Sequence, residues 1–450
     1  MTRYDLAPAR LHGTVVVPSS KSMGHRLCIC AGLSREGCIV DNIALSKDIE
    51  ATNRCLAALG VPIRPAEPHT AGRRAFAYGP AGAPDPAGPA ALFGGSAAAC
   101  VVDCGESGST LRFFIPLAAL TDAPITFTGH GKLVSRPEQP YYDIFDRQGL
   151  SYRTGTAGHL PLTVHGRLRP GRYELPGDVS SQFVSGLLFA LPLLGGDSDL
   201  VIVPPLESAS YIGLTVESLR RFGLVIEQRG DLCYHIPGGQ AYHAPAPRVA
   251  VEGDWSQAAF WLVAGSIGAA PDGIACAGLE GASRQGDKAI LDILRRMGAA
   301  ITAADGVYTA RPARLRGTVI DASDCPDLVP VLSVAAALAD GETRIVHAGR
   351  LRLKECDRLA AMASELGKLG AAIQEEPEGL MIHGCPDGLA GGTVTSAWND
   401  HRVAMSLAVA ALACRGPVRL DGGESVNKSY PGFWEDYGSL GGHYETREEA

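Results

Sequence analysis

Runs that are apolar nearly all round alternate along this chain with runs that are apolar on one face only, and the alternation repeats six times. The first kind comprises RLCICAGL, LRFFIPLAAL, FVSGLLFALPL, AAFWLVAGSI, VPVLSVAAALA and RVAMSLAVAAL. Helices apolar on every side belong inside a core. The second kind closes on glycine, in LAALG, IFDRQG, LRRFG, LRRMG, LGKLG and YGSLG. These glycines are Gly60, Gly149, Gly223, Gly298, Gly370 and Gly441, at steps of 89, 74, 75, 72 and 71 residues. Glycine stops a helix in the left-handed conformation without a Cβ penalty. Such a period predicts six copies of one supersecondary unit. Short strands such as TVVVP, LVIVP and TRIVHA complete each copy, so the class is α/β or α+β.

Ahead of each buried run stands a polar segment. The six open at Pro18, Gly105, Gly177, Gly253, Cys325 and Trp398, and Asp178, Asp254, Asp327 and Asp400 fall in register among them. Ser, Asp, Asn and Glu there read as N-caps. Helix N-termini also present unpaired N–H groups, which makes them anion sites. Capping alone explains any one such residue about as well as function does. It explains six chemically rich loops much less well.

At 450 residues the chain exceeds one core, and two domains of three units each is the simplest partition. A net charge of −8 argues against a nucleic-acid or anionic-membrane partner, so any anion site must be local. Twelve cysteines without a zinc-like spacing read as reduced core residues of a cytoplasmic protein. No signal peptide or membrane span is expected. The Ala-, Gly- and Pro-rich stretch 64–99 reads as a loop or loose hairpin inserted in the first unit, and the tail HYETREEA as frayed.

The loops gather Lys21, Arg26, Arg112, Arg136, Lys354, Arg358, Arg402 and Lys428, which suit a small substrate bearing several negative charges. Two acids stand among them, Asp327 in CPDLVP and Glu355 between Lys354 and Arg358. SSQF at 180–183 offers hydroxyls and an amide. GHGK at 129–132 lacks P-loop spacing, no GxGxxG follows a strand, and His25 and His401 lack metal-ligand spacing.

Eight motifs then stand in one order: PSSKSMGHR, DCGESGSTLRF, SRP, GDVSSQF, CPDL, LKECDRL, WNDHR and NKSYPGF. In these the chain resembles the EPSP synthases (3-phosphoshikimate 1-carboxyvinyltransferases) of the enolpyruvyl transferase family, from about Leu11 to Phe433. The resemblance implies two similar domains of three βαβαββ units, an inside-out α/β barrel arrangement. It places 19–250 in one domain, 1–18 with 251–450 in the other, and the active site in the cleft between them. It implies transfer of the enolpyruvyl group of phosphoenolpyruvate to the 5-hydroxyl of shikimate 3-phosphate, in a monomer with no metal and no cofactor. Carried over residue by residue, Lys21, Ser22, Arg26, Ser180, Ser181, Gln182, Ser208, Tyr211, Asp327 and Lys354 contact shikimate 3-phosphate. Lys21, Gly108, Arg136, Gln182, Arg358, Arg402 and Lys428 hold phosphoenolpyruvate. Asp327 takes the hydroxyl proton, Lys354 positions the hydroxyl and the phosphate, and Glu355 or Lys21 protonates the methylene carbon.

The chain departs from many relatives at His25, Glu106, Ala209-Ser210 and Arg350. Glu106 is a carboxylate beside the anion cage and opposes anions unless a cation pairs with it. Gly108 leaves room for the family's inhibitor glyphosate, yet the sequence does not decide sensitivity. Two rival readings remain. One is the sister transferase acting on UDP-N-acetylglucosamine, whose usual Lys-Asn first loop and cysteine loop this chain lacks. The other is a six-unit DNA clamp, which the negative charge and the Asp327–Glu355–Arg402 set oppose.

Overall fold

A computed structural model describes residues 2–70, 72–79 and 100–448. The chain divides into two units, Met1–Ser20 with Glu252–Ala450, and Lys21–Val251. Each unit holds three four-stranded sheets, all built to one pattern. Two strands pair parallel across a buried helix, a second helix follows, and an antiparallel pair of strands completes the sheet. Cys100–Asp103, Ile125–Thr128, Leu162–His165 and Ser151–Arg153 lie side by side in that way. This is the βαβαββ order. The sheets stay open, and no closed barrel forms among the described residues.

The odd-numbered helices are the runs apolar all round: α1 (Lys21–Leu33), α3 (Gly108–Ala118), α5 (Ser181–Ala190), α7 (Trp255–Gly268), α9 (Val329–Ala337) and α11 (His401–Ala411). Every residue of α9 and α11 is buried, and in α7 every residue from Trp255 to Ser266. These three pack on one another in the middle of their unit. In the other unit α3 runs along α5, with the Phe113 ring edge-on to His25 of α1 and tilted against Phe189 of α5. Gly186 permits that approach. A Cβ there would lie 2.2 Å from the Tyr141 hydroxyl and 2.3 Å from the Arg112 carbonyl oxygen.

The even-numbered helices are one-faced: α2 (Lys47–Ala58), α4 (Gln139–Gln148), α6 (Ala209–Arg221), α8 (Ile290–Arg296), α10 (Arg358–Lys368) and α12 (Phe433–Ser439). The six expected glycine stops follow them, all with φ between 72° and 95°. Outer sheet faces meet water, which leaves Val16, Val101, Val319 and Val394 exposed on first strands.

Two expectations change. The tail is not frayed as far as Glu448: His443–Glu448 is the edge strand of its sheet and pairs along its length with Thr2–Ala7, the strand inside it. At the start of 64–99, Ile63–Ala66 and Arg74–Tyr78 form a hairpin that supplies the outer antiparallel pair every sheet has, so this part is no insertion. Residues 80–99 lie outside the described residues. The chain also exchanges first strands. Gly13–Val16 serves the sheet of Ile274–Ala277, and Arg248–Ala250 serves that of Cys38–Ile43. Among the described residues no helix is long and apolar enough to cross a membrane.

Candidate active site

In α1, α3 and α5 the only residues not buried are Lys21, Ser22, Ser109 and Gln182, all in first turns. Buried helices therefore present their polar chemistry at their N-terminal ends, where unpaired N–H groups lie. Ser107 caps α3 by accepting from Thr110 N, and Ser180 caps α5 by accepting from Gln182 N. Asp178, expected in this series as a cap, is exposed and caps nothing.

In the unit Lys21–Val251, Lys21 reaches Asp48 at 2.8 Å. Arg26 is buried and turned to the protein. Its Nε donates to Thr215 Oγ1, its Nη1 to the Ser22 carbonyl and its Nη2 to the Tyr211 carbonyl, at 2.7–2.8 Å. It thus fixes two of the expected substrate contacts, and its guanidinium lies over Phe113. Ser208 is left-handed at φ 56° and buried, directly before α6. Ser181 opens α5 beside Gln182.

Gln182, Arg136 and Gly108 converge. A Cβ on Gly108 would stand 2.3 Å from Arg136 Nη1 and 3.5 Å from Gln182 Oε1. Arg112 Nη1 donates to Gln182 Oε1 at 3.0 Å, and Gln182 Nε2 donates to Ser109 Oγ at 2.9 Å. The amide is therefore oriented, with its NH2 on the Ser109 side. Arg112 in turn is held by buried Glu138 at 3.1 Å. Burial pushes the Glu138 carboxyl up to about 7 against the pull of Arg112. Glu106 faces the His130 ring at 3.8 Å, a cation only when protonated.

The second cluster belongs to the other unit, where the helix ends differ in one decisive respect. Asp254 caps α7 and Asp400 caps α11. Asp327, in step with them, caps nothing, because it sits inside the short 3-10 turn Pro326–Leu328 that precedes α9. Its carboxylate is turned to cations instead. Arg358 Nη1 lies 3.0 Å from Oδ1, Arg402 Nη2 3.0 Å from Oδ2, and Lys354 Nζ 3.9 Å from Oδ1. Burial alone would raise the Asp327 carboxyl, but Arg402, Lys354 and Arg358 hold it well below the usual carboxylate range. Burial pushes the Lys354 ammonium down to about 8, with Asp327 pulling the other way.

Arg358 is the hub. It is 1 % exposed and binds Asp400 at 2.8 Å, Glu355 at 2.7 Å and Asp327. Lys428 Nζ donates to the Asn399 carbonyl at 2.7 Å, holding the left-handed pair Trp398-Asn399 that leads into α11. Arg350 donates to the Ser323 carbonyl. The arrangement can bind an anion through arginine and lysine while keeping two carboxylates within reach of the same cations.

Sequence reasoning did not single out Asp48, Ser109, Glu138 or the second bond of Asp400. Glu138 directly follows the SRP motif, the one local signal that could have found it. Asp48 is 27 residues from its partner, with no local mark. Among the described residues no group of His, Cys, Asp and Glu is arranged to hold a metal ion.

The profile of EPSP synthase (3-phosphoshikimate 1-carboxyvinyltransferase) matches residues 6–437. A 3-phosphoshikimate 1-carboxyvinyltransferase of Clostridium kluyveri is 46% identical over 445 residues, covering 99% of each chain. The solved EPSP synthase of Acinetobacter baumannii is 25% identical and superposes with a TM-score of 0.77, covering 100% of both chains. The enolpyruvyl transferase NikO of Streptomyces tendae, 21% identical with a TM-score of 0.75 over 100% of this chain and 99% of its own, has the same fold.

Proposed function

Because the chain belongs to the EPSP synthase (3-phosphoshikimate 1-carboxyvinyltransferase) family, we propose that it transfers the enolpyruvyl group of phosphoenolpyruvate to the 5-hydroxyl of shikimate 3-phosphate, releasing phosphate. The observation that carries the residue roles is the part-buried Asp327 carboxylate, which caps no helix and is held among Arg358, Arg402 and Lys354.

The methylene carbon of phosphoenolpyruvate takes a proton while the 5-hydroxyl oxygen bonds to the adjacent carbon and gives up its own. The tetrahedral adduct then loses a methyl proton and breaks its C–O bond to phosphate, restoring the double bond. Cations must neutralise two phosphates and two carboxylates through these steps. Arg136, Lys21, Arg358, Arg402 and Lys428 supply them. Lys21, Ser22, Ser180, Ser181, Ser208 and Tyr211 hold shikimate 3-phosphate, with Arg26 fixing two of these through their backbones. Gln182, its carbonyl end occupied by Arg112, meets substrate as a donor.

Asp327 accepts the hydroxyl proton, and Lys354 positions that hydroxyl. A carboxylate surrounded by three cations is a weak base until something shares their charge. Phosphoenolpyruvate does so: its anionic groups draw on Arg358 and Arg402, and the proton affinity of Asp327 rises as the substrate binds. Glu355, on the same Arg358, is freed by the same competition to exchange a proton at the methylene carbon. Asp327→Ala and Glu355→Gln should each lower kcat by about two orders of magnitude or more, the scale of lost acid–base help. Rates near wild type for a folded variant would remove that residue from the mechanism.

The sister reaction on UDP-N-acetylglucosamine is not favoured. Twelve free cysteines support a reducing, cytoplasmic setting. The net charge of −8 disfavours nucleic acid and anionic membrane. Glyphosate, an anion, would compete for the cations that hold phosphoenolpyruvate.

A further inference from the structure

One buried carboxylate beside this centre has no part in the steps above. Asp287 lies in the short turn Gly286–Ala289 ahead of α8 and is 4 % exposed. It does not cap that turn, whose preceding residue is Gln285. Instead it accepts a hydrogen bond from the Ser256 hydroxyl. Ser256 is fixed on its other side, since its backbone N–H donates to Asp254 Oδ1 at 2.8 Å. Its Oγ accepts from Arg402 Nη1. That guanidinium also holds Asp327 twice, Nη1 on the backbone carbonyl at 3.1 Å and Nη2 on the carboxylate at 3.0 Å. A continuous line therefore runs from carboxylate to hydroxyl to guanidinium to carboxylate.

We propose that Asp287 is a positioning residue for the Asp327 centre, acting through Ser256 on Arg402. The proposal rests on the reading of Asp327 as the proton acceptor and of Arg402 as a phosphoenolpyruvate ligand. Charged and titratable groups facing Asp287 are Asp327, Arg402 and Asp254, together with the Cys325 thiol. Burial, then Asp327, pushes the Asp287 carboxyl up to about 7, while Arg402 opposes them. Neutral, Asp287 only orients Ser256. Ionised, it adds a negative charge that draws on Arg402 and lifts the proton affinity of Asp327. The rate of transfer should therefore rise as pH passes upward through about 7.

Asp287→Asn keeps an acceptor for Ser256 but cannot ionise, whereas Asp287→Ala and Ser256→Ala both cut the line. The experiment measures initial rates of phosphate release from phosphoenolpyruvate with shikimate 3-phosphate across neutral pH. It uses the full-length wild type, these three variants, the Asp287→Ala/Ser256→Ala pair and Asp327→Asn, with an unfolding midpoint for each. Asp287→Asn should lose the rise near pH 7 and keep KM for phosphoenolpyruvate within about twofold. Either truncation should raise that KM by about tenfold, the scale of one charge-assisted hydrogen bond. The pair should cost no more than either alone. A wild-type pH profile in Asp287→Asn overturns the proposal, as do truncations with wild-type KM or with costs that multiply. Wild-type rates in Asp327→Asn would instead sink the reading of the base. If Asp287→Ala does not fold, Ser256→Ala decides the KM arm.

Discussion

Replacing Gly108 by alanine puts a methyl group where Arg136 keeps its guanidinium. The new Cβ would lie 2.3 Å from Arg136 Nη1. Unstrained heavy-atom contacts begin near ~3.5 Å, so Nη1 must withdraw by about 1 Å. The moving atom is the far end of a flexible side chain, and alanine suits a helix at least as well as glycine. Folding stability is thus spared and the cost falls on the ligand that Arg136 holds. A misplacement of about 1 Å at a reacting site is worth up to about 10²-fold, or about 2.7 kcal/mol. Gly108→Ala should lower kcat/KM for phosphoenolpyruvate by about 10- to 100-fold, mostly through KM. KM for shikimate 3-phosphate should change little. Initial-rate phosphate release, with phosphoenolpyruvate varied at saturating shikimate 3-phosphate, measures it, alongside an unfolding midpoint. An unchanged KM for phosphoenolpyruvate in the folded variant would refute the placement of Arg136 on that substrate.

Other expectations follow from the same geometry. Lys354, pushed down to about 8, carries its proton below that pH and loses it above. Transfer should therefore fall as pH rises through about 8, and Lys354→Arg should move this fall to higher pH in a pH–rate profile. Arg358→Ala removes the hub of three carboxylates, two of them on the reacting side, and leaves Asp400 buried without its guanidinium. It should cost about 3–5 kcal/mol of stability in urea unfolding, as for a broken buried pair, and activity with it. Gly186→Ala meets the Arg112 carbonyl, which is backbone and cannot yield, so it should destabilise the unit by about 1–3 kcal/mol in the same assay.

What could be read from the sequence was what short stretches decide alone. A glycine after a one-faced helix is a local requirement, and all six stops have positive φ. Runs apolar all round could only be interior, as α7, α9 and α11 are. What failed depended on partners far along the chain. HYETRE has no pattern that marks a strand, and its partner Thr2–Ala7 lies at the other end of the sequence. Asp254, Asp327 and Asp400 look alike at one spacing, yet only Asp327 stands inside a Pro326-led turn, which frees its carboxylate from capping. Arg26, a substrate contact by resemblance, also donates to Thr215, Ser22 and Tyr211, two of them across 185 or more residues, and no local pattern marks those partners.

Enolpyruvyl transfer to shikimate 3-phosphate is tested most directly by phosphate release from phosphoenolpyruvate with that acceptor, run in parallel with UDP-N-acetylglucosamine. Phosphate should be released with shikimate 3-phosphate alone, and Asp327→Ala should reduce that release to about 1%. Release only with the nucleotide sugar, or none with either acceptor from folded protein, would contradict it.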